Sequence, residues 1–179
     1  MRLGQLRSGV LAAAVAGLGL TSITSADVPA LPSAPAPRVA LRVRARNTMT
    51  VAALDAASRA ASERLAEPGC ARVLSDFTDA GGRTLQQRLD ATAASSGRLL
   101  VYLYDGASRA SCQGGRRLAV TEPGSHVVHV CPQFVLRERQ DPTQAHVVII
   151  HEVLHALGLG ETSLSSNAIT RQVGHRCGG

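Results

Sequence analysis

The sequence predicts an α+β fold, in which a small mixed sheet and packing helices surround one buried helix. Segments with helical periodicity, such as residues 50–67 and 84–95, alternate with short apolar segments typical of strands, such as residues 99–104. The buried helix is predicted from an apolar run that begins at Ala145 and leads into the string H-E-x-x-H. The β-branched residues of this run would suit a strand, but a cap signal at Asp141 and the histidine spacing favour a helix.

The first 26 residues have the features of a secretory signal peptide. Arg2 and Arg7 provide the positive charge at its start, residues 10–20 are uncharged and apolar, and residues 24–26 end in a small residue suited to signal peptidase. The apolar stretch is shorter than the about 20 residues that a membrane-spanning helix requires. We therefore expect a secreted or periplasmic protein without a membrane span, whose mature chain starts near Asp27.

Residues 27–47 form a predicted linker ahead of a single domain over residues 48–179. Residues 28–37 are rich in Pro and Ala, a composition typical of disorder. Residues 38–46 alternate Arg with apolar residues. This second part is compatible with a short strand, with the end of the linker or with a propeptide, and the sequence does not separate the three.

The basic residues are all Arg, a composition typical of a GC-rich bacterial genome. Without Arg2 and Arg7, 17 basic residues face 13 acidic ones, so the mature chain is mildly basic. Nucleic-acid binding would require basic residues clustered beside stacking aromatic residues. The chain has no Trp and only two Phe and two Tyr. We therefore expect no nucleic-acid partner. We also expect the protein to be a monomer.

Two helices and five strands are predicted between the linker and the central helix. The helix over residues 50–67 repeats apolar residues at intervals of three and four and ends at Pro68-Gly69, and the helix over residues 84–95 stops at Gly97. Turns rich in Gly, Pro and Asp separate the strands. The strands are predicted over residues 70–77, 99–104, 110–112, 117–121 and 126–131.

The central helix is expected to begin at Asp141. Asp141 is a suitable N-cap, Pro142 occupies the first turn, and Gln144 follows three residues after the cap. Because the helix is apolar on most sides, a buried position is expected. Beyond it, Ser165 or Ser166 can cap a final helix. The apolar stripe of that helix is formed by Ile169, Val173 and Cys177.

The residues with the clearest chemistry are His151, Glu152 and His155 of the H-E-x-x-H string. Helical residues four apart share a face, so both imidazoles can reach one metal ion. Glu152 lies about 100° round the helix from His151. It is poorly placed as a ligand but well placed as a general base towards a water on the metal. An accidental match is the alternative, and the preceding apolar run and the following Gly158 favour the zinc site.

The longer string over residues 151–161, H-E-x-x-H-x-x-G-x-x-E, resembles the metzincin zinc peptidases, whose signature ends in His. Snapalysin-type bacterial peptidases are similar and have Asp at that last position. The resemblance covers residues 145–161 and includes no Met-turn, because Met occurs only at positions 1 and 49. It implies a zincin-like fold and one Zn²⁺ bound by His151, His155 and Glu161, with Glu152 as the catalytic base.

Spacing and elimination both favour Glu161 as the third ligand, and a solvated loop carboxylate is the alternative interpretation of this residue. No Asp or Glu follows Glu161, and His175 is the only later histidine. We therefore treat His175 as a reserve ligand or as a stabiliser of the transition state. His126 and His129 are three apart, so they face opposite sides of a predicted strand and are not expected to bind one metal.

The four cysteines are expected to form two disulfides in an exported chain. Cys112 and Cys131 lie on strands predicted to be close in the sheet, which leaves Cys70 to pair with Cys177. The other two pairings stay open. A structural zinc site is the weaker alternative, because no two cysteines have the spacing C-x-x-C.

These patterns predict a secreted zinc-dependent metallohydrolase, in the first place an endopeptidase acting on a peptide or protein. The alternatives are a zinc amidase that acts on cell-wall or other amides, and a non-catalytic zinc-binding module. The strand over residues 126–130 is interpreted either as the rim of the cleft, pairing with an extended peptide, or as an ordinary sheet strand.

Overall fold

A computed structural model describes residues 38–162 and 164–178, which form a four-stranded mixed sheet and seven helices. The strands are β1 (Arg38–Arg44), β2 (Arg98–Asp105), β3 (Ala119–Thr121) and β4 (Val127–Val130). The helices are α1 (Thr48–Ala66), α2 (Pro68–Ala71), α3 (Val73–Asp76), α4 (Leu85–Ser96), α5 (Gln133–Gln140), α6 (Pro142–Ala156) and α7 (Ser166–Cys177). The predicted class, α+β with a small mixed sheet, is confirmed. The predicted signal peptide and the Pro/Ala-rich part of the linker lie outside the described residues.

The sheet has the strand order β1-β2-β4-β3. Strand β2 pairs in parallel with β1 on one side and with β4 on the other, and β3 pairs antiparallel with β4 at the edge. Strand β4 therefore has a neighbour on both sides. The interpretation of residues 126–130 as a strand open to an extended peptide is wrong for this reason, and β3 is the edge strand beside it.

One face of the sheet is apolar and buried. Because side chains alternate along a strand, Leu99, Val101 and Leu103 of β2 share this face and are fully buried, as is Val128 of β4. Helices α1 and α6 join them in one core. Every residue of α6 from Ala145 onwards is buried, as expected for a helix that is apolar on most sides.

The structure settles the interpretation of residues 38–46 in favour of a strand. Residues 38–44 form β1 and pair with β2 in register from Arg38↔Arg98 to Arg44↔Tyr104. The sheet thus includes residues that the sequence analysis assigned to the linker. Helix α1 begins slightly earlier than predicted, because the Asn47 side chain accepts hydrogen bonds from the backbone N–H groups of Met49 and Thr50.

The strand predicted over residues 70–77 is wrong, because the segment forms the short helices α2 and α3. Its buried residues are Cys70, Val73, Leu74 and Phe77, which follow the helical spacing i, i+3, i+4 and i+7. Pro68 sits in the first turn of α2, where its missing N–H costs nothing. The apolar residues of this segment therefore repeat at helical intervals in the sequence. A short apolar segment of this length is, however, also typical of a strand.

Three further differences concern the region around the second disulfide. Residues 110–112 form a 3-10 turn instead of the predicted strand, and the predicted strand over residues 117–121 is reduced to β3. Gly114 and Gly115 between them have positive φ values of 107° and 71°, which break an extended strand. Helix α5 was not predicted, because Phe134 is its only buried residue and no apolar stripe marks it.

The predicted helix over residues 84–95 is confirmed as α4. Its N-cap Thr84 and Gln87 form a capping box, and Gly97 ends the helix in the left-handed region at φ 75°. Helix α7 is also confirmed, with Ser165 as its N-cap and with Ile169, Val173 and Cys177 as its buried residues. Within the described residues, no helix has the length and apolar character needed to cross a membrane.

Both expected disulfides are present, Cys70–Cys177 and Cys112–Cys131. The first joins α2 to α7 across 107 residues of sequence, and the second joins the 3-10 turn to the end of β4. In the chain-entropy model a crosslink over about 100 residues stabilises a fold by about 4.7 kcal/mol, and one over about 15 residues by about 3 kcal/mol. The pair is compatible with an exported protein, since such bonds persist in oxidising compartments.

Candidate metal centre

Helix α6 positions the central residues of the site. Its start is fixed by Asp141, whose side chain accepts a hydrogen bond of 2.9 Å from Gln144 N, and by Pro142 in the first turn. The predicted cap is thus confirmed. The apolar residues that follow are β-branched, yet the segment is helical because the cap and the surrounding core outweigh its strand propensity.

His151 and His155 lie on one face of α6, as their spacing predicts. The distance between their Nε2 atoms is 2.9 Å. Their side chains are buried, each with 6% of its surface exposed. The two imidazoles therefore point their outer nitrogens at one small volume, where a single ion would contact both.

The inner nitrogen of His155 fixes the state of its ring. His155 Nδ1 lies 2.7 Å from the backbone carbonyl oxygen of Leu159. A carbonyl can only accept, so Nδ1 carries a proton, and in the neutral ring Nε2 then presents a lone pair. Metal binding requires a lone pair on Nε2. Metal-binding histidines typically donate a hydrogen bond from their other ring nitrogen, as Nδ1 does here.

The inner nitrogen of His151 lies 2.9 Å from the Thr170 hydroxyl on α7. If Thr170 accepts, His151 Nε2 also presents a lone pair, and two lone pairs 2.9 Å apart repel each other unless a cation lies between them. If Thr170 donates, His151 Nε2–H can donate to His155 and no cation is needed. Thr170 is thus the residue at which the metal-bound and metal-free hydrogen-bonding patterns differ.

Glu161 reaches the same volume from the loop after α6. Its Oε1 atom lies 3.4 Å from His155 Nε2 and 4.0 Å from His151 Nε2. The ligand atoms of the three residues all lie within 4.8 Å of one another, so the group can hold a metal ion. Unlike the histidines, the Glu161 side chain is 48% exposed.

Gly158 provides the turn that brings Glu161 back over the helix. Its φ of 104° lies in the left-handed region, where a side chain is disfavoured. Gly158 N donates to the His155 carbonyl at 2.8 Å, and Leu159 N donates to the Leu154 carbonyl at 3.0 Å. These bonds end the helix and place the Leu159 carbonyl opposite His155.

His175 is not brought into this group. It lies on α7 with an exposed side chain, and the cluster of potential ligands found in the described part of the chain consists of His151, His155 and Glu161. His126 and His129 lie elsewhere, and the Nε2 atom of His129 is 2.6 Å from Arg109 Nη2. His146 is also buried, but its partner lies outside the cluster, because His146 Nε2 lies 3.1 Å from the Cys177 carbonyl oxygen.

Glu152 is buried beside the cluster, and burial is the main cause that raises its pKa to about 7. The negative charge of Glu161 adds to this rise, whereas Thr121, His155 and Arg117 oppose it. Thr121 Oγ1 and Glu152 Oε2 nevertheless have no hydrogen-bond partner of good geometry in the described structure. Glu152 thus has a free oxygen and a pKa suited to proton transfer near neutral pH.

Burial also lowers the pKa of His151 to about 4, and the neighbouring His155 contributes to this decrease. At neutral pH the His151 ring is therefore neutral, which is the form that binds metals. Neutral imidazoles and a carboxylate match the three-ligand donor sets of catalytic zinc sites. The same donors also suit other divalent first-row ions, so the geometry alone does not fix which metal binds.

Sequence reasoning missed the residues that support the ligands. Thr170 gave no local signal, because its contact with His151 joins two helices that are separate in sequence. The same is true of Arg88, whose Nε donates to the Leu157 carbonyl at 3.3 Å and contacts Asp79 Oδ2 at 3.5 Å. Arg88 and Asp79 thus pack against the turn at the end of α6.

The loop between β3 and β4 closes one side of the site. Gly124 N donates to the His155 carbonyl at 2.8 Å, and Thr121 at the end of β3 lies close to Glu152. The outer edge of β3 has no strand paired to it among residues 38–162 and 164–178. A sheet edge without a neighbouring strand thus lies next to the candidate metal centre.

Comparisons of the chain with protein-family models, with curated proteins and with solved structures found no match to any of them.

Proposed function

We propose that this protein is an exported zinc-dependent hydrolase that cleaves peptide bonds. The observation on which this rests is a buried, unpartnered carboxylate, Glu152, immediately beside a three-residue group that can hold a metal ion. A purely structural metal site has no use for a base at that position. The resemblance of residues 151–161 to the metzincin signature supports a zincin-like fold and the same class of activity.

In this proposal His151, His155 and Glu161 hold the ion through Nε2, Nε2 and Oε1. Bound there, Zn²⁺ would supply Lewis acidity, which lowers the pKa of a coordinated water and polarises a carbonyl group. Thr170 and the Leu159 carbonyl keep both rings in the orientation that presents a lone pair. Burial of the histidines keeps competing water and protons away from them.

Glu152 acts as the proton carrier. Its carboxylate takes a proton from the attacking water and passes it to the leaving nitrogen of the cleaved bond. A carboxyl group can do both, because it accepts a proton as the carboxylate and donates one as the acid. Burial favours the protonated form, and a cation bound nearby would favour the ionised form that accepts the proton of the water. The unpartnered Oε2 is the atom available for this exchange.

The free edge of β3 supports a peptide as the substrate. An extended peptide can pair with an unpaired strand edge through backbone hydrogen bonds. Strand β3 ends at Thr121, next to Glu152, so a peptide paired there would lie beside the proton carrier. A compact amide without an extended backbone would not use this edge.

The experiment uses mature protein with both disulfides formed. Its metal content is measured by mass spectrometry, and its activity is measured on denatured casein, on a peptide library and on cell-wall fragments, with chelator and after Zn²⁺ is restored. Glu152→Gln should keep the metal and lose cleavage, whereas Glu63→Gln, at an exposed site on α1, should change neither.

Each alternative predicts its own result in the same experiment. Bound metal with cleavage of cell-wall fragments but not of peptides would indicate an amidase. Bound metal with no cleavage of either would indicate a non-catalytic module. Protein that binds no divalent metal at all would overturn the proposal.

A further inference from the structure

The face of the sheet turned away from the core contains a basic groove. It lies between β1, β2 and helix α4 and has a volume of about 650 Å³. Its basic residues are Arg42, Arg44, Arg98 and His126, and Tyr102 lies among them. We call this set the basic groove. No part of the proposed hydrolase site uses it.

Strand alternation places the arginines on this face. Leu41 and Val43 pack against the core, so Arg42 and Arg44 between and after them point to the opposite side. The register sets Arg42 beside Tyr102 of the neighbouring strand. His126 joins them from the start of β4, because its carbonyl accepts a hydrogen bond of 2.8 Å from Tyr102 N.

The positive charge of the groove is not neutralised within the described structure. No carboxylate of the described residues lines it, and none lies within ion-pair distance of Arg42, Arg44 or Arg98. Several arginines elsewhere do form ion pairs, for example Arg176 with Asp76 at 2.9 Å. Three unpaired guanidinium groups in one groove repel each other, and an anionic ligand would remove that repulsion.

The two aliphatic hydroxyl groups of the groove, those of Thr92 and Ser96, are already committed to backbone carbonyls. The Thr92 hydroxyl donates to the Arg88 carbonyl at 3.0 Å, and the Ser96 hydroxyl is within 2.8 Å of two backbone carbonyl oxygens. Donors for a ligand must therefore come mainly from the guanidinium groups. Their planar fork binds phosphate oxygens in pairs, and their separation along and across the strands suits several anionic groups on one chain.

The aromatic content of the groove argues against recognition of bases. Among the described residues, Tyr102 and the ring of His126 are the only aromatic groups that line it, and Arg44 Cζ lies 5.6 Å from the Tyr102 ring centroid. The arginine thus occupies a face on which a base would stack. We propose that the basic groove binds the backbone of a phosphodiester polymer through its phosphates, without reading bases.

The test measures binding of a fluorescent 12-unit abasic deoxyribose-phosphate chain to the mature protein by anisotropy. With three phosphates contacted, the slope of log affinity against log salt should be about −2, so binding weakens about 20-fold between 50 and 200 mM NaCl. Arg42→Gln, Arg44→Gln and Arg98→Gln combined should weaken binding at low salt by at least about tenfold and flatten the slope.

The matched control removes the same charge from other surfaces, by combining Arg59→Gln, Arg72→Gln and Arg137→Gln, which are exposed and lie outside the groove. It should retain most of the affinity and the slope. If the triple groove variant fails to fold, as judged by circular dichroism, single variants at Arg42 and Arg98 replace it. Each should reduce the magnitude of the slope by about 0.7.

Three results would overturn the proposal. Equal losses in the groove and control variants would show that net charge alone drives binding. An oligothymidylate of equal length that binds about tenfold more tightly than the abasic chain would show base stacking. Polyglutamate that binds as well as the abasic chain would indicate an acidic polypeptide as the partner. Hydrolase activity is not measured here, so the outcome is separate from that of the proposed function.

Discussion

Residues carried by helix α6 and residues that reach the metal centre from outside it differ in burial and support. His151, Glu152 and His155 are buried and fixed on one capped helix. Glu161 lies on an exposed loop and depends on a single glycine turn, and Thr170 comes from α7. Under the proposed function, α6 supplies the base and two metal-binding nitrogens, while Glu161 and Thr170 determine how tightly the ion is held.

The largest expected effect lies on α6. Glu152→Gln removes the proton acceptor but keeps the size of the side chain, so turnover should fall by about 10²–10⁴-fold or more while metal content stays the same. Steady-state cleavage of a peptide substrate, with metal measured in the same sample, tests this. Near wild-type turnover would mean that Glu152 is not the base.

The next largest effect, on zinc affinity, is expected for Glu161, the exposed candidate ligand. Glu161→Ala should weaken zinc binding by more than the about 10–100-fold that is typical when an outer hydrogen-bonding partner is lost. His175→Ala is the control and should leave zinc affinity unchanged, because His175 lies outside the cluster. Competition with a chromophoric chelator gives both affinities. Zinc retained without Glu161 but lost without His175 would reverse the assignment.

A third prediction concerns the metal-free protein and pH. Burial raises the pKa of Glu152 from 4.5 to about 7, so the folded state holds a proton that the unfolded state has already lost. The free energy of unfolding therefore falls as pH rises from about 4.5 to 7, by about 3 kcal/mol. Glu152→Gln should remove this loss and stabilise the metal-free protein at pH 8.

His151 changes the free energy of unfolding with pH in the opposite direction. Its pKa falls from 6.5 to about 4, so the unfolded state binds a proton first as pH decreases. The contribution of His151 to the free energy of unfolding is fully present above about pH 6.5 and is lost towards pH 4. Urea unfolding of the metal-free wild type and Glu152→Gln across this range checks both signs. Equal pH dependence of the two proteins would contradict the assignment to Glu152.

Thr170 should have a smaller effect on the metal than Glu161. Thr170→Val keeps the shape but removes the partner of His151 Nδ1, and zinc affinity should fall by about 10–100-fold. Thr170→Ser restores the hydroxyl and should recover most of the affinity. If Val and Ser variants bind zinc equally well, the hydroxyl does not orient the ring.

The smallest expected effect is at Gly158. Ala at a φ of 104° is strained, so Gly158→Ala should lower the free energy of unfolding by about 1–2 kcal/mol. Gly174→Ala is the matched control, because Gly174 lies inside α7 with no atom within 4 Å of an added Cβ. It should stabilise by up to about 1 kcal/mol. Thermal or urea unfolding would reveal whether the two substitutions have opposite signs.

Local signals in the sequence were enough to predict α6 and the three residues that form the candidate metal group. The Asp141 cap, the i, i+4 histidines and the Gly158 turn are all encoded within about twenty residues. The short helices over residues 68–76 were missed because an apolar segment of that length is compatible with both the helical and the strand repeat. Thr170 and the basic groove were missed for another reason, since both depend on residues that only the tertiary fold brings together.

The Cys70–Cys177 bond has a consequence for the order of maturation. It anchors the end of α7, and α7 carries the Thr170 hydroxyl that faces His151. A newly made precursor in a reducing cytoplasm would lack this anchor, and its metal site would lack a firmly placed partner for one ligand. Under the proposed function, oxidation would precede tight metal loading, so hydrolytic activity would arise only after export of the chain.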